Sequence, residues 1–164
     1  MIVKFGSYEI ALALKTRPYI SRSELTRKSK VKSDNIELHE NVKRLLAAYF
    51  PELDLDDIRI KQGIPWYVPM KVDAYTDRNL IYFERSKYRP ESVAGIALIA
   101  HELAHCAQYK RHGTWRFRIM YAREWLAELL RHSSFNKAYL ENRFEVEARV
   151  VEDMVYDDLS NQLN

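Results

Sequence analysis

Cysteine is nearly absent. The single Cys106 among 164 residues allows no internal disulfide. Long apolar runs are missing too: none approaches the ~20 residues that a helix needs to span a bilayer. The first nine residues carry Lys4 and Glu9, which makes a poor signal peptide. Together these absences predict a cytoplasmic protein with no membrane span, released from the cell, if at all, by a route that needs no signal. The chain also lacks an internal repeat and a low-complexity tract, and no nucleic-acid-binding motif is recognisable.

What is present suits one soluble domain with a real core: 47% of residues are hydrophobic and 30% charged, in a chain long enough to bury them. The net charge of +3 is unevenly spread. Residues 1–32 hold eight Lys/Arg against Glu9 and Glu24, a balance of +6, which leaves −3 for the remainder. We expect residues 1–36 to be a basic, partly mobile segment and residues 37–164 to be the folded domain. The basic segment could meet an anionic partner, a particle surface or nucleic acid. A solvated arm accounts for it as well.

Within residues 1–20 the apolar run 10–14 suits a strand or short helix, stopped by Pro18, and residues 21–34 read as a loop. A helix is expected from Ser33 or Asp34 to Phe50, ended by Pro51. Residues 53–62 read as a turn and a strand centred on Ile58 and Ile60, and residues 63–66 as a turn. Two further strands are expected at 67–73, with Pro69 marking an edge, and at 79–84, joined by a turn over 75–79. Ser92 should cap a helix that ends at His112-Gly113. A second long helix should run over 114–130, broken by Ser133-Ser134. A last one should run over 142–159, with Phe144, Ala148, Val151 and Val155 as its apolar face.

The helix after Ser92 carries His101-Glu102-Leu103-Ala104-His105. Successive helical residues turn by about 100°, so His101 and His105 share a face one turn apart. Two imidazoles so placed can hold one Zn²⁺. Glu102, about 100° around the helix, misses the ion but can reach a water on it. The eight residues at 93–100 are apolar or Gly, which buries the helix. Buried polar groups need partners, so a core helix with two histidines and a glutamate otherwise requires a hydrogen-bond partner for each.

Catalytic zinc takes three protein ligands. His112 is one candidate for the third. The metzincin pattern puts its last His ten residues after the first and a Gly three after the second. Here His112 lies eleven after His101, and Gln108 stands three after His105, so the pattern fails. A His at a helix C-terminus is favourable on its own account. Better candidates are Glu145 and Glu147, on a second helix, which would complete the His-His-Glu set of gluzincins. They point about 200° apart, so only one can serve. Helix phase relative to Phe144 mildly favours Glu147.

The motif with the following Cys106, Ala107, Gln108 and Tyr109, then His112-Gly113, Tyr139 and residues 144–149, resembles a family of small bacterial zinc metallopeptidase domains. Those domains are often encoded with phage-tail-like extracellular contractile injection systems. Residues 63–66 and 79–83 also fit, so the resemblance spans residues 40–152, leaving the first ~40 particular to this chain. It implies an α+β, helix-rich, zincin-like fold: a small sheet before the motif helix and a helical C-terminal part. It implies zinc on His101, His105 and a glutamate of 144–149, with Glu102 as general base. Several gluzincin groups show Glu-x-x-Ala followed by Asp or Asn. Glu145 aligns with that Glu, so the choice falls on Glu145. Arg149 stands where Asp or Asn is usual, and could pair with Glu145 or Glu152.

The functional expectation is a zinc-dependent peptidase acting on a peptide or protein substrate. The alternative is a metal-stabilised binding or structural module of a phage-tail-like particle or toxin, with little turnover. Tyr139 could donate to an oxyanion, or be a core tyrosine. Cys106 reads as a small buried filler, and Trp66, Trp115 and Trp125 read as core. The strand at Leu80 to Phe83 could pair with an extended peptide, or be internal.

Overall fold

The computed structural model describes residues 2–5, 8–11, 36–68 and 71–163. Near the N-terminus, β1 (Ile2–Phe5) and β2 (Tyr8–Ala11) form an antiparallel hairpin with Phe5 opposite Tyr8. The loop expected at 21–34, and Ser33 and Asp34 as caps, lie outside the described residues. So does most of the basic segment.

The domain begins with β3 (Ile36–Glu37) and α1 (Glu40–Leu46). The expected helix over 33–50 is thus much shorter. His39 caps it, its Nδ1 accepting from the Asn41 amide at 3.3 Å, and Val42, Leu45 and Leu46 supply its buried face. A 3₁₀ turn at Leu55–Asp57, capped by Asp54, leads to β4 (Arg59–Gln62). β5 (Ala74–Asp77) and β6 (Leu80–Phe83) complete a four-stranded sheet in the order β3-β4-β6-β5. β4 and β6 run parallel; the other pairs are antiparallel.

Two expectations are corrected in this region. No strand forms at 67–68 or 71–73; Pro69 and Met70 lie outside the described residues. The expected turn over 75–79 is mostly strand. Asp77 stands opposite Leu80, so Arg78 and Asn79 alone make the turn, with Arg78 in the left-handed region at φ 59°. Tyr75 and Thr76 are good strand formers, and a two-residue turn needs no longer polar stretch. The Leu80–Phe83 strand is internal, and the outer strand on its side of the sheet is β5.

The motif helix is α2 (Val93–His112), capped by Ser92, whose Oγ accepts from the Gly95 amide at 3.1 Å. It is the centre of the core, buried nearly all round from Gly95 to Tyr109. Gly95 is required by a close approach: a Cβ there would stand 2.0 Å from the Arg89 carbonyl oxygen. Ile81 and Phe83 of β6 and Ile60 of β4 meet Ile96, Ile99 and Leu103 in one cluster. Each such side chain, fully buried, contributes about 1.5–3 kcal/mol.

Gly113, at φ 77°, turns the chain into α3 (Thr114–His132). Ser133 at φ 49° ends α3, and a short α4 (Phe135–Leu140), not anticipated from the sequence, leads to α5 (Arg143–Leu163). α5 packs along α2 more extensively than any other pair of described elements. Ala100, Ala104 and Ala107 of α2, with Ala148 of α5, keep that contact close. Tyr109, Phe117 and Phe144 form a second cluster joining α2, α3 and α5.

The result is a helix-rich α+β domain with a small sheet. No helix among the described residues is long and apolar enough to cross a membrane. The tryptophans depart from expectation: Trp66 is 95% and Trp115 75% exposed, and Trp125 is half-buried. A core already filled by smaller aliphatics leaves them on the surface.

Candidate metal centre

α2 sets His101 and His105 one turn apart, their ring centroids 5.0 Å from each other. Both are nearly buried, and both are oriented through Nδ1. His101 Nδ1 meets Glu152 Oε2 at 2.9 Å, and His105 Nδ1 meets Gln108 Oε1 at 2.8 Å. The Gln108 amide donates to the Phe144 carbonyl and to Glu147 Oε2, each at 3.0 Å. Its oxygen must therefore face His105. A carboxylate and an amide oxygen can only accept, so both Nδ1 atoms carry hydrogen, and both Nε2 atoms are available as ligands when the rings are neutral.

The two Nε2 atoms converge on Glu145, at 3.4 Å for His101 and 3.5 Å for His105. Glu145 is 2% exposed. Tyr121 donates to its Oε1 at 2.6 Å, and its buried Oε2 has no full hydrogen bond, only His101 Nε2 at 3.4 Å. One ligand atom from each of the three lies within 4.8 Å of the others. Tetrahedral ligands at ~2.0–2.1 Å from zinc stand roughly 3.3 Å apart, near the 3.4 Å from His101 Nε2 to Glu145 Oε2 and the 3.5 Å from His105 Nε2 to Glu145 Oε1. The donor set, the preset tautomers and the poorly satisfied Oε2 are of a kind that could hold a metal ion.

The three groups of the cluster shift one another's protonation. Burial pulls the His101 imidazole down, but hydrogen bonds to Glu145 and Glu152 outweigh it and raise its pKa to about 10. Burial lowers the His105 pKa as well, and the Glu145 charge again reverses the direction. For Glu145, burial pushes the pKa up, yet His105 and His101 carry it well below the carboxylate range. A bound cation would replace those protons.

Glu102, 4% exposed, stands beside the cluster. Residues 76 and 81 are opposite each other in the β5–β6 pair, so Thr76 shares the core face of Ile81. From there its hydroxyl donates to Glu102 Oε2 at 2.6 Å. Burial lifts the Glu102 pKa above its ordinary value, against the pull of His105, His101 and Thr76. Glu102, His105, Glu145 and Tyr139 all line a cavity of about 660 Å³. Burial first, then the charge of Glu145, pushes the Tyr139 phenol up.

The other candidates fall elsewhere. His112 ends α2 with its ring 6.0 Å from that of Phe144, outside the cluster. Glu147 accepts from Gln108 and, at 2.8 Å, from Arg111. Arg149 pairs with neither Glu145 nor Glu152 but donates to the Leu140 carbonyl. Cys106 is fully buried, and burial raises its thiol pKa.

Four supporting residues were not anticipated. Glu152 lies seven after Glu145 and Gln108 three after His105, spacings that place each on the same helix face and that could have revealed them. Thr76 and Tyr121 come from distant elements and leave no local signal.

No curated protein and no solved structure matches the chain. A family model does match: residues 37–113 correspond to the eCIS core domain. The span is slightly under half of the chain. It runs from the end of β3 to the junction after α2, taking in the His101–His105 motif and stopping short of Glu145. By that match, the sheet and motif helix of this chain are similar to the core domain associated with extracellular contractile injection systems.

Proposed function

We propose that the chain is a zinc-dependent peptidase of zincin-like fold, its ion held by His101, His105 and Glu145. The observation that carries this reading is the convergence of both imidazole Nε2 atoms on the buried Glu145 carboxylate, with Glu102 beside them on a cavity wall. Two imidazoles and one carboxylate are a common donor set of catalytic zinc, which keeps a further position open. Zn²⁺, when bound, supplies a Lewis acid for a peptide carbonyl and makes water more acidic.

The rest is done by the chain. Thr76 fixes Glu102 Oε2, leaving Oε1 to take a proton from the attacking water and return it to the departing amine nitrogen. A carboxyl whose pKa is lifted by burial suits both transfers. The Tyr139 hydroxyl, kept protonated by burial and by Glu145, donates to the oxyanion that develops on the substrate carbonyl. The outer edge of β5 offers backbone groups to an extended peptide. Glu102→Gln tests the reading: zinc content should persist while peptide hydrolysis falls at least ~100-fold. Hydrolysis at the wild-type rate would reject it.

A second reading, a metal-stabilised module of a tail-like particle, draws on the match to the eCIS core domain over residues 37–113, which suggests a particle partner. Glu102 separates the two, because a structural ion has no use for a buried carboxyl facing a cavity.

A further inference from the structure

We infer that the cavity beside Glu102 takes a large, uncharged apolar side chain of a peptide, and that Ala122 sets the room available to it. The inference names a substrate class and rests on the peptidase reading above.

The cavity's volume of about 660 Å³ falls within the ~300–1,000 Å³ range of ligand pockets. Its walls are largely aromatic, with Tyr75, Phe117, Tyr121, Trp125 and Phe135 among the lining residues. Trp125 and Phe135 meet at a centroid distance of 5.6 Å, and Phe135 remains 66% exposed. An apolar side chain entering here would cover rings now open to water.

The charged groups on the lining are already engaged. Arg118 pairs with Asp77 at 2.7 Å. Glu102 accepts from Thr76, and Glu145 accepts from Tyr121 and faces both histidines. With the ion's open position taken by the peptide carbonyl, a carboxylate or ammonium on the substrate side chain would find each protein counter-charge occupied, and burying an unpaired charge is costly. A neutral side chain meets no such cost.

Along α3 the lining residues are Phe117, Arg118, Tyr121, Ala122 and Trp125, which share one helix face. Ala122 is the smallest of them and is exposed. A larger residue there would occupy the cavity without disturbing the core, and a charged one would bring an unpaired charge of its own.

The test separates binding from turnover. Full-length Glu102→Gln, loaded with zinc, is titrated with a fluorescein-labelled Ala-Gly decapeptide carrying Phe, Leu, Asp or Lys at one central position, read by fluorescence polarisation. The Phe and Leu peptides should bind at least ~10-fold tighter than the Asp and Lys peptides. Adding Ala122→Trp should weaken Phe binding by a similar factor with zinc content unchanged, and adding Ala122→Asp should bring the Lys peptide above the Phe peptide. Equal binding of all four, binding of none, or Phe binding untouched by Ala122→Trp overturns the inference. Hydrolysis of the same peptides by wild type is scored separately. Selective binding without hydrolysis removes the peptidase reading alone, and hydrolysis with no preference removes the selectivity alone.

Discussion

Glu152 and His101 meet across the α2–α5 interface, the carboxylate accepting the Nδ1 hydrogen at 2.9 Å. Glu152 therefore orients one face of an imidazole whose other face is turned to Glu145, and both glutamates come from the same helix. Glu152→Ala should lower zinc affinity about 10–100-fold, the usual range for loss of such a partner. Glu152→Gln, which still accepts the hydrogen bond, should recover most of it. Competition against a chromophoric chelator measures both, and a Glu152→Ala protein that binds zinc like wild type refutes the assignment.

Glu145 and Glu147 have separate tasks. Glu145→Ala should abolish stoichiometric zinc retention in elemental analysis. Glu147→Ala should leave the ion in place and weaken retention only as far as Gln108 loses its anchor. Preferential loss in Glu147→Ala would reverse the assignment.

The chelator-treated protein should show a pH window set by the cluster. His101 titrates near 10 when folded, against 6.5 ordinarily. A raised pKa contributes stability that is complete below the unfolded value and disappears as pH rises through the folded one. The Glu145 pKa is depressed below its ordinary 4.5, so its contribution is present above that value and is lost as pH falls toward the folded one. The stability gap between wild type and His101→Gln should thus be widest between about pH 5 and 6.5 and shrink toward pH 10. Urea midpoints across that range measure it, and a gap that grows with pH contradicts the sign.

Gly95→Ala tests the packing at the start of α2. A Cβ would stand 2.0 Å from the Arg89 carbonyl oxygen, so the backbone at 89 must move. The substitution should cost about 1–3 kcal/mol, although alanine ordinarily favours a helix. A variant with an unchanged or higher midpoint in urea would show that the approach is slack.

Sequence logic reached furthest where one element carries its own evidence. The Ser92 cap, the Gly113 stop and the apolar run between them delimit α2 closely, and the period of Phe144, Ala148 and Val155 locates α5. It was weaker where tertiary context decides. The Tyr75–Thr76 strand looks like a turn because polar residues surround it, and its place at the sheet edge depends on β6 pairing with β4. Residue type alone points Trp66 and Trp115 inward, but aliphatic side chains fill the core and leave both exposed. Helix phase from Phe144 favoured Glu147; the family pattern favoured Glu145, the residue that meets the imidazoles.

The His105–Glu145 contact joins positions about 40 residues apart, and the chain between them is α3 and α4, the helices that wall the cavity. In a protein with one cysteine, an ion at that junction would act as a cross-link. By the chain-entropy account used for disulfides, closing a loop of this length restricts the unfolded ensemble by about 3–4 kcal/mol. Metal supply would then govern how long the cavity walls stay assembled as well as the chemistry beside them, and chelation would loosen α3 and α4 ahead of the sheet.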